Sequence, residues 1–226
     1  MMSDNVLSPL SSAQRPWDAR LARWLVTPLA ASRVTPNHLT TVRLAFGLAG
    51  AAAFTLGTYG WCNIAALLVI LSNFLDHTDG ELARLSGKTS RVGHVYDLAS
   101  DAAVTILLFV AMGVGIQNSS DTQLAISPPL LGALAGAAVA LIFYLRMRVE
   151  EIAGKAAGRQ PSLGGFETED VLYLLPLVTL CGGVTPFLIA ASIGAPLFAV
   201  WVIIEYRRVA RQTKLLAADP SGAGLV

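Results

Sequence analysis

Charge is scarce in this chain. Asp, Glu, Lys and Arg make up 14% of its 226 residues, where soluble domains carry about 25%. With 54% hydrophobic residues and a mean hydropathy of +0.59, the composition excludes an ordinary water-soluble domain and points to a membrane. The net charge of +1 provides no basic footprint, so no nucleic-acid partner is expected. Cysteine is nearly missing. Cys62 and Cys181 lack metal-ligand spacing and read as small buried hydrophobes rather than a disulfide. A secretory leader is not expected either, because about forty mixed residues and no cleavage site precede the first apolar run. There is no internal repeat, low-complexity tract or second domain, so residues 1–226 read as one membrane domain.

Long apolar runs are present instead, at 44–58, 61–75, 102–116, 129–145, 171–182 and 185–204. Several fall short of the roughly 20 residues that a helix needs to cross the hydrocarbon layer. The missing length must come from polar neighbours that continue the helix: 36–43 for the first span, 76–86 for the second, 91–101 for the third. Polar structure at membrane depth is tolerated only around a cavity, so these polar halves are expected to face one another. The fold class is therefore all-α: a bundle of six transmembrane helices over 36–208 with a polar cavity.

Orientation follows from where the cations are missing. The loops at 58–63, 117–128 and 182–186 contain no Lys or Arg, and all 16 lie on the other side. By the positive-inside rule both termini and the cavity are cytoplasmic, in a multi-pass protein of a bacterial inner (plasma) membrane. Residues 14–31 read as an amphipathic interfacial helix, with Trp17, Leu21, Trp24, Leu25 and Pro28 on one face and Arg15, Asp18, Arg20 and Arg23 elsewhere. Packing of that helix against the bundle is the alternative. Residues 215–226, rich in Ala, Gly and Pro, read as a disordered tail.

Against this apolar background stand two aspartate pairs, Asp76/Asp79 and Asp97/Asp101. Four carboxylates beside a bilayer are costly unless a cation holds them together. On helices, Asp76, Asp79/Gly80 and Ala83 share one face, as do Gly93, Asp97 and Asp101. The short link between Arg84 and Arg91 predicts that the two helices are antiparallel neighbours. Oxygen-only ligands suit two divalent cations, Mg²⁺ or Mn²⁺, rather than Zn²⁺. Because Mg²⁺ is commonly shared with substrate phosphates, the site predicts a phosphate-bearing substrate. Gly80, Ala83 and Gly93 remove bulk where a ligand approaches the backbone, and Arg84 supplies a planar donor fork for phosphate.

The spacing Asp76-x2-Asp79-Gly80-x2-Ala83-Arg84-x8-Gly93-x3-Asp97-x3-Asp101 resembles the signature of the CDP-alcohol phosphotransferases at all eight fixed positions. A weaker resemblance extends upstream to Pro36-Asn37-x2-Thr40-x2-Arg43. The resemblance implies transfer of a phosphoalcohol group from a CDP-alcohol to an acceptor hydroxyl with release of CMP, the donor being a CDP-linked lipid, CDP-diacylglycerol, in the usual prokaryotic case (a phosphatidyl transfer) or a small CDP-alcohol that donates to diacylglycerol by the same chemistry. It implies that Asp76, Asp79, Asp97 and Asp101 bind two metals and that Asp101 is also the general base. Asn37, Thr40, Gly80, Arg84 and Ser90 fall at donor-binding positions. His77, Thr78 and His94 occupy variable slots and read as packing or supporting groups.

The acceptor is a small hydroxyl compound of unknown identity. Arg91, Arg146, Arg148 and Arg159 either line a phosphate pocket for it or simply set the topology. Glu167, Glu169 and Asp170 would suit a polyol or amino-alcohol, or would cap a helix. A homodimer is implied by resemblance, although the Gly/Ala-rich stretches 47–53 and 132–140 would serve equally well inside one chain. The alternative function is a cation- or proton-coupled transporter using the same carboxylates. That reading gives no reason for Gly80, Ala83 and Arg84 at their spacings.

Overall fold

The computed structural model describes residues 17–119, 124–153 and 172–218, and the regular structure in them is helical. In order these are α1 (Trp17–Val26) with a 3-10 turn (Thr27–Leu29), α2 (Pro36–Phe54), α3 (Tyr59–Ser86), α4 (Arg91–Ser119), α5 (Pro128–Ala153), α6 (Leu175–Leu180) and α7 (Val184–Ala218). The boundaries have local causes. Pro36 opens α2 at a position where its missing N–H costs nothing, and the Thr35 N–H donates to His38 Nδ1 at 3.2 Å. Gly87, with φ +66°, ends α3 and donates its N–H to the Ala83 carbonyl. Ser90 then caps α4, its Oγ accepting the Gly93 N–H at 2.9 Å.

Four helices, α3, α4, α5 and α7, are long and apolar enough to cross a membrane. The chain is an integral membrane protein. Large apolar side chains face outward, with Leu67, Leu130, Leu177 and Leu197 all more than 60% exposed, while the packed interior is full of small residues such as Ala51, Ala53, Ala65 and Ala66. Lipid makes this arrangement favourable, since helices gain association energy there by close backbone approach. Of the two other expected spans, α2 is 19 residues with a polar first half, and the described part of α6 is only Leu175–Leu180.

The expected contact between α3 and α4 is corrected by the structure. α2 packs against both of them, and they make almost no direct contact with each other. Small residues allow the wedge. A Cβ on Gly47 would lie 2.7 Å from Val104 Cγ1 on α4 and 3.0 Å from Ser72 Oγ on α3, and a Cβ on Gly50 would lie 3.0 Å from Val69 Cγ2. A Cβ on Gly136 of α5 would meet Ile106 Cα of α4 at 2.8 Å. The two small-residue stripes are thus used inside the chain. The main core joins Phe54, Val69, Leu108, Met112, Leu175 and Leu188, drawn from α2, α3, α4, α6 and α7.

Two smaller expectations also change. α7 continues to Ala218, so residues 215–218 are helical and not tail, as Leu215, Leu216, Ala217 and Ala218 are good helix formers; residues 219–226 lie outside the described residues. Cys62 is buried, but Cys181 is exposed where the chain turns after α6. In α1, Ala22 and Val26 are buried and the helix packs on α3, whereas Leu21, Trp24 and Leu25 are exposed. Arg15 and the side chains of Trp17, Asp18 and Arg20 lie outside the described residues.

Candidate active site

The four signature carboxylates come from two helices separated by a third, and the third carries their counter-ion. Arg43 of α2 has a side chain only 5% exposed. Its Nη1 pairs with Asp76 Oδ1 at 2.7 Å and also with Asp101 Oδ1. Its Nη2 donates to Asp97 Oδ1 at 2.7 Å, and its Nε lies 3.8 Å from Asp79 Oδ2. One guanidinium thus touches carboxylates on both α3 and α4. Neighbouring contacts hold its helix in place: Ser72 Oγ of α3 donates to the Arg43 carbonyl at 2.9 Å, and Thr41 and Tyr96 hydroxyls meet at 3.1 Å.

The carboxylates are not equivalent. Asp76, Asp97 and Asp101 each present an oxygen within 4.8 Å of the others, and their side chains are 34%, 36% and 39% exposed. Asp79 is 6% exposed and accepts the Thr40 hydroxyl at 2.9 Å. Three hard oxygen donors so close together fit a divalent cation of the Mg²⁺ or Mn²⁺ kind.

Two cavities meet at the cluster, sharing Asp97 and His94. The smaller, about 260 Å³, is lined by Asn37, Thr40, Asp79, Gly80, Ser90 and Gly93 among others. Four of the five expected donor positions therefore converge on it. Gly93 explains part of its shape, since a Cβ there would lie 2.7 Å from Asn37 Oδ1. At Gly80 a Cβ would meet nothing closer than the Arg84 guanidinium at 3.6 Å, so its absence serves the open space rather than the packing. The larger cavity, about 620 Å³, begins at Asp76, Asp97 and Asp101 and continues along apolar side chains including Val104, Leu108, Phe143 and Met147. It has one polar end and one apolar flank.

The remaining candidates divide. Arg84, the fifth donor position, lies outside the lining of both cavities and donates to Glu81 Oε1 through Nε at 3.2 Å and Nη2 at 2.8 Å. Glu81 is buried and also pairs with Arg23 of α1 at 3.5 Å. Lys88 donates to the Ser32 and Val34 carbonyls at 2.7 and 3.3 Å, pinning the segment before α2 beside the small cavity. Neither Arg91, Arg146 nor Arg148 lines either cavity. Arg146 stacks over the Phe198 ring at 5.4 Å, and Arg148 pairs with Glu151. Lys155, Arg159, Glu167, Glu169 and Asp170 lie outside the described residues. His77 Nδ1 is 3.1 Å from the Asn73 carbonyl.

From the sequence Arg43 reads as one of the topology-setting cations, and its place at the centre is visible only in the structure. The available signal was its position in the Pro36–Arg43 pattern, two turns after the helix start and one turn beyond Thr40.

Comparison with known proteins is consistent with this geometry. The family described as CDP-alcohol phosphatidyltransferase matches residues 33–204. A curated relative from Rubrobacter xylanophilus, named bifunctional IPC transferase and DIPP synthase, is 32% identical over 172 residues, which are 74% of this chain and 35% of that protein. Archaetidylinositol phosphate synthase from Pyrococcus horikoshii is 33% identical over 87 residues, 38% of this chain and 45% of that one. The matched part thus spans less than half the length of either relative. Phosphatidylinositol phosphate synthase (PgsA1) of Mycobacterium tuberculosis shares the fold in two crystal structures. The one with manganese and citrate gives a TM-score of 0.53 at 22% identity, covering 87% of this chain and 88% of that one. The one with CDP-DAG bound gives 0.52 at 23% identity, covering 87% and 93%.

Proposed function

Because this chain belongs to the CDP-alcohol phosphatidyltransferase family, we propose that it moves a phosphatidyl group from CDP-diacylglycerol to an acceptor hydroxyl and releases CMP. The observation that carries this reading is the position of the four carboxylates where a compact polar cavity meets a larger, partly apolar one. The first suits the cytidine diphosphate end of a donor, the second its lipid end and the approaching acceptor. Asp76, Asp97 and Asp101, with Asp79, would hold two divalent cations, a role supported by their oxygen-only donor set. Such ions, when bound, neutralise a diphosphate and a departing phosphate.

The protein's own part is positioning and proton handling. Asn37, Thr40, Gly80 and Ser90 bind the nucleotide end, and Arg84, held by Glu81 behind Gly80, adds positive charge beside that cavity without lining it. Asp101 borders the larger cavity. There it takes the proton of the acceptor hydroxyl as that oxygen bonds to the lipid-bearing phosphorus. The bond from that phosphorus to the CMP oxygen breaks at the same centre, and CMP leaves. We assign the acceptor to phosphorylated polyols, inositol phosphate first, since two similar proteins bear names of inositol phosphate lipid synthases.

The finer architecture belongs to the same reading. α2 and the segment containing α6 complete six spans, with both termini and the site on the cytoplasmic side, in keeping with the one-sided placement of the 16 Lys and Arg residues. α1 lies in the headgroup region, its exposed Leu21, Trp24 and Leu25 turned to lipid.

The test is CMP release by detergent-purified protein given CDP-diacylglycerol and Mg²⁺ or Mn²⁺, with inositol phosphate, glycerol phosphate, inositol and serine supplied one at a time. Release stimulated by a phosphorylated polyol, and lost in Asp101→Asn, is the expected result. Stimulation by serine or free inositol alone overturns the acceptor assignment. Absence of both CMP release and Mg²⁺-dependent CMP binding overturns the function and favours a transporter.

A further inference from the structure

We infer that Arg43 is the resident cation of the site, a positioning residue that gathers the four carboxylates and makes binding of the last divalent ion depend on the donor diphosphate. This rests on the metal-dependent reading above but concerns a residue outside the aspartate signature. Arg43 carries a permanent charge, is almost fully buried, and contacts Asp76, Asp97 and Asp101 while standing 3.8 Å from Asp79. The other cations beside the small cavity are committed elsewhere, Arg84 to Glu81 and Lys88 to two carbonyls.

Charge then sets the order of binding. With all four carboxylates deprotonated, as ligation of a metal requires, they and the one guanidinium carry a net charge of −3. One divalent ion brings this to −1, and a second, arriving alone, would make the site positive. The two ionised phosphates of a CDP-linked donor bring the total back to −1, so the second ion is favoured only in their company. At separations of about 4–5 Å and an effective dielectric of about 50, suited to a site open to water, one guanidinium charge changes the affinity of a divalent ion by roughly 100-fold. The contacts also explain how Arg43 can organise the site without sealing it. It engages one oxygen each of Asp76, Asp97 and Asp101, and each carboxylate has a second oxygen to offer.

The experiment titrates Mn²⁺ into the full detergent-solubilised chain by calorimetry, with and without saturating CDP, for wild type, Arg43→Met and Arg43→Lys. Wild type is expected to hold one Mn²⁺ tightly alone and to gain a second, tightened roughly 100-fold, with CDP. In Arg43→Met the second ion binds without CDP and most of the CDP dependence disappears. Arg43→Lys, which keeps the charge, restores it. A purely structural arginine would instead weaken every Mn²⁺ site and leave the ratio with and without CDP unchanged, which overturns the proposal. If Arg43→Met does not fold, wild type alone decides: two equally tight Mn²⁺ ions without CDP refute the inference. Failure to bind Mn²⁺ under any condition refutes the metal-dependent function as well, and is thereby distinguished from binding without coupling.

Discussion

Gly47 offers a sharp test of the wedge that forms the site. It lies on α2 one turn beyond Arg43, and a Cβ there would fall 2.7 and 2.8 Å from the two γ carbons of Val104 and 3.0 Å from Ser72 Oγ. Gly47→Ala gains about 1 kcal/mol of helix propensity. The overlap costs more, because both close contacts are to a β-branched side chain with little rotamer freedom, and overpacking of this kind costs about 1–3 kcal/mol. The net is a loss of up to about 2 kcal/mol, or up to roughly 4–8 °C in the midpoint of thermal unfolding for a chain of this size. Activity should fall further than stability suggests. Relieving the overlap moves α2 away from α4, and Arg43 and Thr40 move with it. Val104→Ala in the same chain removes the two methyl groups and should recover both properties, giving a coupling of about 1–2 kcal/mol between the sites. The assays are thermal unfolding in detergent and CMP release. A Gly47→Ala protein as stable and active as wild type would show that α2 is not wedged as described, and would remove the geometric basis for Arg43 at the centre.

Other perturbations separate the residues by role. Asp101→Asn should abolish transfer while leaving most CDP binding, whereas Asp79→Ala should lose Mn²⁺-dependent CDP binding too; near-wild-type turnover in Asp101→Asn disproves the base assignment. Glu81→Ala releases Arg84 from its bonds at 2.8 and 3.2 Å and should raise the donor KM several-fold with a smaller change in kcat. Equal falls in kcat and kcat/KM would instead assign Glu81 to the chemical step. Gly93→Ala pushes a methyl group towards Asn37 Oδ1, 2.7 Å from the ideal Cβ position. CDP binding measured by calorimetry should weaken about tenfold, as expected for roughly 1–2 kcal/mol of overlap, and an unchanged affinity would exclude Asn37 from the nucleotide pocket.

Much of this protein could be read from its residues. The one-sided Lys and Arg distribution, the apolar runs and the aspartate spacing each obey local rules, and the structure brings Asp76, Asp97 and Asp101 within 4.8 Å of one another. The signature glycines were legible as points of close approach, and Gly93 against Asn37 is one. What could not be read was which helix stands between α3 and α4. A four-residue link between Ser86 and Arg91 suggests direct packing, since loop length is the available guide to adjacency. The deciding factor is instead lateral: Gly47 and Gly50 make α2 slender enough to fill the gap. Side-chain bulk at one helix crossing overrode the connectivity cue. The place of Arg43 is hidden for a different reason: a cation near a span end satisfies the topology rule whether or not it also faces carboxylates.

The chemistry of that residue explains why three helices act as one unit. Four carboxylates on two separated helices would repel one another, Asp79 most of all because it is almost fully removed from water. A lysine placed on α2 would supply a point charge with three donors on one nitrogen. The guanidinium spreads its donors over three nitrogens in a plane, so Nη1 serves Asp76 on α3 and Asp101 on α4 while Nη2 serves Asp97. The carboxylate spacing is then fixed by the position of α2 relative to both partners. That position depends in turn on Ser72, which bonds the Arg43 carbonyl, and on Gly115 of α4, where a Cβ would collide with the Phe54 carbonyl at the end of α2. Gly115, fourteen residues along α4 from Asp101, therefore belongs to the site in an energetic sense. A change at the α2–α4 crossing alters the distance between the α3 and α4 carboxylates without touching any of them.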